Sequence, residues 1–310
     1  MALYPLLFRP VVKPKVWGSE TWALSGYGDD QSVVSNGFLE DNTIGEVLEI
    51  YMDELVGEHV YSRFGNTFPL LFKFIDAQDD LSIQVHPDDA QAAQLGMEGK
   101  AEMWYVTGAT PEASLVMGFG CDTSEEEVRR RLEDDSIMEV LQVVPVRKGD
   151  VAYIPAGTVH ALRRGTQVAE IQQTSDLTFR LYDYHRPGLD GRPRQLHIDE
   201  SMAVLNFGRL EHPLADYKPQ NGKAVKLVED EHFVTSLLRL DRPVSLDYAK
   251  RDSFVVYMCT EGQAAVRCGG SAVQEVVVAA GQTLLVPASL PDITLLPTAG
   301  AAVLLEVTVP

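Results

Sequence analysis

Apolar and polar residues alternate along many short segments of this chain, which is the pattern of β-strands. The segment "LSIQVHP", at 81–87, is an apolar run that Ser82, Gln84 and His86 interrupt at every second position. Residues two apart share one face of a strand, so all three polar side chains are expected on the same face. That face either meets water or lines a cavity that requires an amide oxygen and an imidazole.

Strand patterns dominate, and helical periodicity is confined to a few segments. Short runs bounded by Gly, Pro, Asp and Asn predict strands at 70–77, 81–87, 103–109, 114–119, 167–173 and over most of 225–309. Helices are predicted at 87–95, 122–144 and 197–207, the second of them with an N-cap at Thr123 or Ser124. A mostly-β chain with helices inserted between its strands is typical of a barrel or jelly roll.

An internal repeat supports this fold class. "KGDVAYIPAGTVHAL" (148–162) aligns without gaps with "AGQTLLVPASLPDIT" (280–294). Such a repeat predicts two related β-barrels in tandem, at 1–212 with helical insertions and at 223–310. The alignment places Asp292 at the position of His160, and a looser match of "KAEMWYV" with "DSFVVYM" places Phe254 at that of Glu102. The second domain is therefore expected to lack the imidazole and the carboxylate.

Composition and charge restrict the setting in which the protein works. The chain has 310 residues and a formal net charge of −19, which argues against nucleic acid or an anionic membrane surface as a partner. No apolar stretch reaches the ~18–20 residues of a membrane span, and the N-terminus does not resemble a secretory signal. The three cysteines (Cys121, Cys259 and Cys268) are few, odd in number and not in a metal-binding spacing. Cys259 and Cys268 could face each other across a hairpin, but free thiols and a cytoplasmic location are the better expectation.

Four polar residues on three predicted strands form a candidate metal site. Gln84 and His86 share one strand face, Glu102 precedes the strand "MWYV", and His160 follows "PAGTV". Two imidazoles, a carboxylate and an amide oxygen are suitable ligands for a divalent ion such as zinc. Each residue alone also has an ordinary structural explanation, such as a solvated edge glutamate or a hydrogen-bonded core histidine. Spacing alone leaves both interpretations open.

Four segments, in this order, resemble type I phosphomannose isomerases. They are "FPLLFKFIDAQDDLSIQVHPDD", "GKAEMWYV", "PAGTVHAL" and "AEIQQTSDLTFRLYDYHR". The opening "KPKVWGSETWALS" and the segment "GRPRQLHIDESM" are similar to the short bacterial and archaeal form of the family. The resemblance extends over about residues 5–206. It implies cupin barrels, one zinc ion and a phosphorylated sugar as substrate.

The resemblance also assigns roles to individual residues. The zinc ligands of the family fall on Gln84, His86, Glu102 and His160. Its active-site arginine falls on Arg180, an active-site lysine on Lys100, and an acidic residue of many members on Glu170. For phosphate recognition we favour Arg180, Lys100 and Ser82, because phosphate is bound by cations and hydroxyl or backbone donors. Arg186 is better explained by a surface salt bridge.

The implied reaction is the interconversion of mannose 6-phosphate and fructose 6-phosphate through a cis-enediol. It requires an acid or base near C1 and C2 and an electrophile for the enediolate charge. Glu170 is a candidate base, and a partner of Arg180 or Lys100 is the competing interpretation. An iron-dependent cupin oxygenase is one alternative function, because two histidines and a carboxylate also describe a facial triad. A non-catalytic sugar-phosphate-binding cupin is the other.

Overall fold

Strands make up most of the chain in the computed structural model, which describes residues 2–269 and 274–310. The strands are β1 (Leu6–Arg9), β2 (Val11–Lys15), β3 (Gly18–Leu24), β4 (Val33–Val34), β5 (Leu70–Ala77), β6 (Ile83–Val85), β7 (Glu102–Ala109), β8 (Ser114–Phe119), β9 (Leu141–Pro145), β10 (Val151–Ile154), β11 (His160–Leu162), β12 (Thr166–Gln173), β13 (Phe179–Tyr182), β14 (Ala224–Glu229), β15 (Val234–Leu240), β16 (Val244–Asp247), β17 (Val255–Glu261), β18 (Gln263–Cys268), β19 (Gln274–Ala279), β20 (Thr283–Val286), β21 (Asp292–Pro297) and β22 (Ala302–Thr308). The helices are α1 (Ile44–Val56), α2 (Glu58–Phe64), α3 (Asp89–Ala93), α4 (Glu125–Glu133) and α5 (Ile198–Val204).

The strands form four sheets, and the predicted mostly-β class is confirmed. The strand orders are β14-β15-β22-β17-β20-β1-β4, β10-β7-β12-β5-β3-β2, β13-β6-β11-β8-β9 and β16-β21-β18-β19. The predicted helices at 87–95 and 197–207 correspond to α3 and α5. All three cysteines are free, as expected. Within the described residues, no helix has the length and apolar character needed to cross a membrane.

The helix predicted at 122–144 is only half correct. It begins as predicted, because the Ser124 side chain caps α4 by accepting a hydrogen bond from the backbone N–H of Glu127. The helix ends at Glu133, and "LQVVP" then forms β9 with alternating burial. Helices α1 and α2 were not predicted. Met52 interrupts α1 with a positive φ of 45°, so this segment consists of two helical stretches joined at a kink.

The described chain forms two compact units, each built from more than one segment. One unit comprises 12–21 and 74–215, and the other comprises 1–11, 22–73 and 216–310. The first has its own core, which includes Trp17, Trp104 and Phe119, and the second has a core that includes Tyr257. The division of the chain into tandem domains at 1–212 and 223–310 remains a prediction.

Strand registers within the two units correct the alignment of the repeat. Ile154 of β10 lies opposite Glu102 of β7, and Val286 of β20 lies opposite Val255 of β17. Since Val286 corresponds to Ile154 in the repeat, Val255 occupies the position of Glu102. The predicted correspondence with Phe254 was therefore wrong by one residue. The expected absence of a carboxylate at this position is unaffected, because valine carries none.

The same registers identify the counterparts of two further site residues. In the first copy Gln84 lies opposite His160, and at the corresponding place in the second copy Asp247 lies opposite Asp292. On the other sheet Glu170 lies opposite Trp104, and in the second copy Glu306 lies opposite Tyr257. The second copy thus keeps a buried glutamate at the position of Glu170 and has neither histidine nor glutamate at the positions of the metal-ligand candidates His160 and Glu102.

Candidate metal centre

Three neighbouring strands place Arg180, Gln84 and His160 in one row. Gln84 of β6 is directly opposite His160 of β11 on one side and Arg180 of β13 on the other. Residues directly opposite each other on antiparallel strands project from the same face of the sheet. The polar face predicted from "LSIQVHP" therefore also carries a guanidinium. Ile83 and Val85, which alternate with Gln84, belong to the hydrophobic core of this unit.

His86, Glu102 and His160 converge to form a buried cluster. The Nε2 atoms of the two histidines are 3.1 Å apart, and His160 Nε2 is 3.1 Å from Glu102 Oε1. His86 Nε2 lies 3.6 Å from Glu102 Oε2. All three side chains are at most 1% exposed, so they do not form an ordinary solvated cluster. Gln84 is half-buried, and its amide Nε2 lies 3.4 Å from His160 Nε2.

These residues fit a tetrahedral divalent ion such as zinc. Ligand atoms 2.0–2.1 Å from a tetrahedral ion are about 3.3 Å from one another, close to the separations observed among the four side chains. His160 Nδ1 lies 2.8 Å from the carbonyl oxygen of Thr158, to which its N–H donates, so Nε2 is the atom available to a metal. Turning the Gln84 amide by half a rotation brings Oε1 toward the cluster. The donor set of two imidazoles, a carboxylate and an amide oxygen is thus complete.

Lys100 supplies a positive charge to this cluster. Its Nζ is 2.9 Å from Glu102 Oε2 and 3.2 Å from His86 Nε2, and the side chain is almost fully buried. Strand β7 begins at Glu102, so Lys100 lies before the strand and reaches the site through the length of its side chain. Burial raises the pKa of Glu102, but Lys100 and the imidazoles hold that pKa well below 4.5. Burial and Lys100 both lower the pKa of His86, which favours the neutral, metal-binding imidazole.

Arg180 is anchored by the segment that precedes α5. Its Nη1 donates to the carbonyl oxygen of Gln195 at 2.8 Å. Its backbone N–H donates to His197 Nδ1 at 3.2 Å, and the His197 N–H donates to the Arg180 carbonyl oxygen at 2.8 Å. Burial, together with nearby Arg194, lowers the pKa of Arg180. The Nε of Arg180 is buried and has no hydrogen-bond partner among the described residues.

Glu170 contacts Trp104, a residue that the sequence analysis did not connect with the site. The indole Nε1 of Trp104 donates to Glu170 Oε2 at 2.7 Å. The indole also packs edge-on against the His160 ring, with centroids 5.5 Å apart and an interplanar angle of 71°. The only sequence clue was the position of Trp104 two residues after Glu102, which places both on one strand face. Ser82 is buried just before β6.

Arg186 and four further histidines lie outside the metal-ligand cluster. Arg186 Nη2 is 2.8 Å from Asp183 Oδ1, and because these side chains are only 14% and 5% exposed, the salt bridge is largely buried and not at the surface as predicted. His232 pairs with Asp230 and His185 with Asp135, while His212 is exposed. The ring of His197 accepts the hydrogen bond from the Arg180 backbone N–H.

The fold and the site together define a mostly-β protein with a buried cluster of two histidines and one carboxylate that could hold a metal ion, a lysine in contact with this cluster and an arginine on the same sheet face. Comparison with known proteins identifies the family. A family model described as "Phosphomannose isomerase type I, catalytic domain" matches residues 9–118. Mannose-6-phosphate isomerase ManA of Bacillus subtilis (strain 168) is 33% identical over 284 residues, which cover 85% of this chain and 87% of that protein.

Two further comparisons agree. Mannose-6-phosphate isomerase of Streptococcus mutans is 38% identical over 227 residues, covering 66% of this chain and 69% of that protein. The crystal structure of the mannose 6-phosphate isomerase from Bacillus subtilis superposes with a TM-score of 0.84 at 27% identity, covering 98% of this chain and 99% of that one. This chain belongs to the type I phosphomannose isomerase family.

Proposed function

We propose that this isomerase interconverts mannose 6-phosphate and fructose 6-phosphate at a zinc ion held by Gln84, His86, Glu102 and His160. The observation that carries the proposal is the convergence of these side chains, with Lys100 in contact with two of them. The family and the names of the relatives supply the substrate and the reaction. Zinc in such a site supplies a Lewis acid that polarises sugar oxygens.

The basic residues of the site would stabilise the charge that develops during the reaction. Proton transfer between C2 and C1 passes through a cis-enediol, whose enediolate form carries negative charge on oxygen. Lys100 presents an ammonium group beside Glu102, and Arg180 presents a guanidinium from the row that includes Gln84. Fixed donors in a site with little water stabilise such charge more strongly than solvent does, because they do not have to reorient.

The same cations would bind the phosphate group. The buried Nε–H of Arg180 lacks a protein partner in the described chain, which leaves a donor for a phosphate or enediolate oxygen. Ser82 lies two residues before Gln84 and adds a hydroxyl group. A chain with a formal net charge of −19 requires such local cations to hold an anionic sugar. The three free thiols agree with a cytoplasmic enzyme.

The proposal is tested with protein from which metal has been stripped. We expect no turnover of mannose 6-phosphate until zinc is returned, followed by one bound zinc per chain and recovery of isomerisation in a coupled assay. Ferrous iron with oxygen should give no oxidised sugar product. Turnover that is independent of added metal, or zinc binding without any isomerisation, would contradict the proposal.

A further inference from the structure

Trp104 is in contact with both Glu170 and the metal-ligand candidate His160. Its Nε1–H is directed at Glu170 Oε2, at 2.7 Å, and its ring meets the imidazole of His160 at 71°. The three side chains are at most 3% exposed. An indole N–H can only donate, and a buried one requires an acceptor. Glu170 is therefore the acceptor that holds the indole against the imidazole.

Two contacts together fix the His160 ring. The carbonyl oxygen of Thr158 accepts the Nδ1–H, which selects the tautomer and directs Nε2 toward His86 and Glu102. The indole edge of Trp104 restricts rotation of the imidazole about its side-chain bonds. Contacts of this kind orient metal ligands, and their loss typically weakens metal binding ~10–100-fold.

The second copy of the repeat supports a structural role for this glutamate. Glu306 occupies the register position of Glu170 and is 2% exposed, although Val255 and Asp292 stand where Glu102 and His160 stand. Glu306 accepts a hydrogen bond from the Tyr248 hydroxyl, which in turn contacts the Tyr257 hydroxyl at 2.8 Å. A buried carboxylate that bonds an aromatic donor thus recurs where the imidazole and carboxylate ligands are missing.

We propose that Glu170 is a positioning residue: it holds the Trp104 indole against His160 and does not exchange a proton with the substrate. This proposal deepens the proposed function and rests on it, because it assumes that His160 is a metal ligand. It differs from the sequence-based expectation, in which Glu170 was a candidate base. Loss of the hydrogen-bond acceptor at Glu170 should therefore weaken metal binding and should not directly affect the proton-transfer step.

Conservative replacement separates the two roles. Glu170→Gln keeps an amide oxygen that can accept from Trp104 Nε1 but cannot act as a base. We expect its zinc dissociation constant to stay close to that of the unaltered chain, and its kcat to fall far less than the ~10²–10⁴-fold that a general base contributes. Glu170→Leu has no acceptor, so we expect its zinc dissociation constant to rise ~10–100-fold, with kcat largely recovered at saturating zinc.

A double-mutant cycle tests the connection through the indole. Trp104→Phe removes the N–H and keeps an aromatic ring beside His160. In that background, Glu170→Leu should no longer change zinc affinity, because the hydrogen bond is already absent. Glu306→Gln is the matched control: it neutralises the corresponding carboxylate in the second copy and should leave zinc affinity unchanged. Circular dichroism and Tm show whether each variant is folded. If Glu170→Leu does not fold, the zinc affinity of Trp104→Phe still tests the proposal, because this variant also lacks the hydrogen bond.

The outcomes distinguish this inference from the proposed function. A Glu170→Gln variant with normal zinc affinity and a kcat loss of 10²-fold or more would overturn it in favour of a base. Unchanged zinc affinity in Glu170→Leu would overturn it as well. If the unaltered chain binds zinc without isomerising the sugar, the proposed function fails, yet the zinc titrations still decide the role of Glu170.

Discussion

Arg180 and Gln84 lie directly opposite each other on β13 and β6, so a guanidinium and a candidate metal-ligand amide project from the same sheet face. Gln84 is also the least buried of the four candidate ligands. The arginine thus lies beside the most exposed of the candidate ligands. Its position there depends on the hydrogen bond that its Nη1 donates to the Gln195 carbonyl oxygen and on the hydrogen bonds of its backbone N–H and C=O with His197.

Arg180→Lys should lower kcat/KM by one to several powers of ten. A lysine keeps the charge but cannot donate to Gln195 and to a substrate oxygen through one planar group. Each tenfold loss corresponds to about 1.4 kcal/mol of transition-state stabilisation. Tm should change little, because Arg180 is not part of the hydrophobic core. Steady-state kinetics with Arg147→Lys, an exposed arginine, provide the control. A large fall in Tm would indicate a structural role instead.

His86→Ala and His160→Ala should each reduce bound zinc and activity together. Removing one imidazole leaves three protein ligands, two of which are a carboxylate and an amide oxygen that bind zinc less tightly than nitrogen. Metal content by mass spectrometry and turnover should fall in parallel, while circular dichroism keeps its β-sheet signature. His212→Ala, at an exposed position, is the matched control and should retain one zinc per chain. Full zinc occupancy in either ligand variant would exclude the assignment.

His197 should make the protein less stable in mild acid. Burial and the charge of Arg180 lower its pKa below 6.5, and its Nδ1 must be unprotonated to accept from the Arg180 N–H. Because the unfolded histidine titrates near 6.5, its contribution is fully present above that pH. It is lost as the pH falls from about 6.5 through the lower folded pKa. Urea unfolding should therefore show a weaker pH dependence over this window in His197→Asn.

A control isolates this effect from the titration of other histidines. His212→Asn alters an exposed histidine for which no contact with Arg180 is described, and should keep the pH dependence of the unaltered chain. Both variants retain His86 and His160, so the titration of these two histidines does not account for a difference between the variants. Identical pH profiles in the two variants would contradict the prediction.

Gly18→Ala should destabilise the unit that contains the metal site. Gly18 has a φ of +144°, and an added Cβ would lie 2.0 Å from the carbonyl oxygen of Asp76, a backbone atom that cannot move aside easily. We expect a loss of more than about 2 kcal/mol in the free energy of unfolding, measured by denaturant titration. Gly28→Ala is the control, because Gly28 has a φ of +49° and no atom within 4 Å of the added Cβ. Its cost should be limited to about 1–2 kcal/mol of backbone strain.

The shared face of Gln84 and His86 could be predicted because that information is local, whereas the complete set of candidate ligands came from the family resemblance. Gln84 and His86 are two residues apart on one strand, and this spacing alone places them on one face. The alternation of polar and apolar residues likewise predicted that Arg180 lies on the opposite strand face from the buried Phe179 and Leu181. The strand character of 70–77 and 114–119 followed from short apolar runs in the same way.

Features that depend on register or on distant contacts could not be predicted. Trp104 and Glu170 are 66 positions apart, and their hydrogen bond exists only because β7 and β12 pair in one particular register. The looser match that placed Phe254 at Glu102 failed for the same reason, since similarity of a few residues does not determine which residues face each other across a sheet. The segment 141–145 became a strand because β8 pairs with it.

The ion pair between Lys100 and Glu102 has a consequence for how the reaction responds to salt. The two opposite charges cancel, so a divalent ion bound beside them would leave its own charge uncompensated at the site. A sugar phosphate is repelled by the formal net charge of −19 while it is distant and is attracted only near the site. Added salt screens interactions beyond ~10 Å far more than those within the pocket. Association of substrate should therefore become faster, not slower, as ionic strength rises.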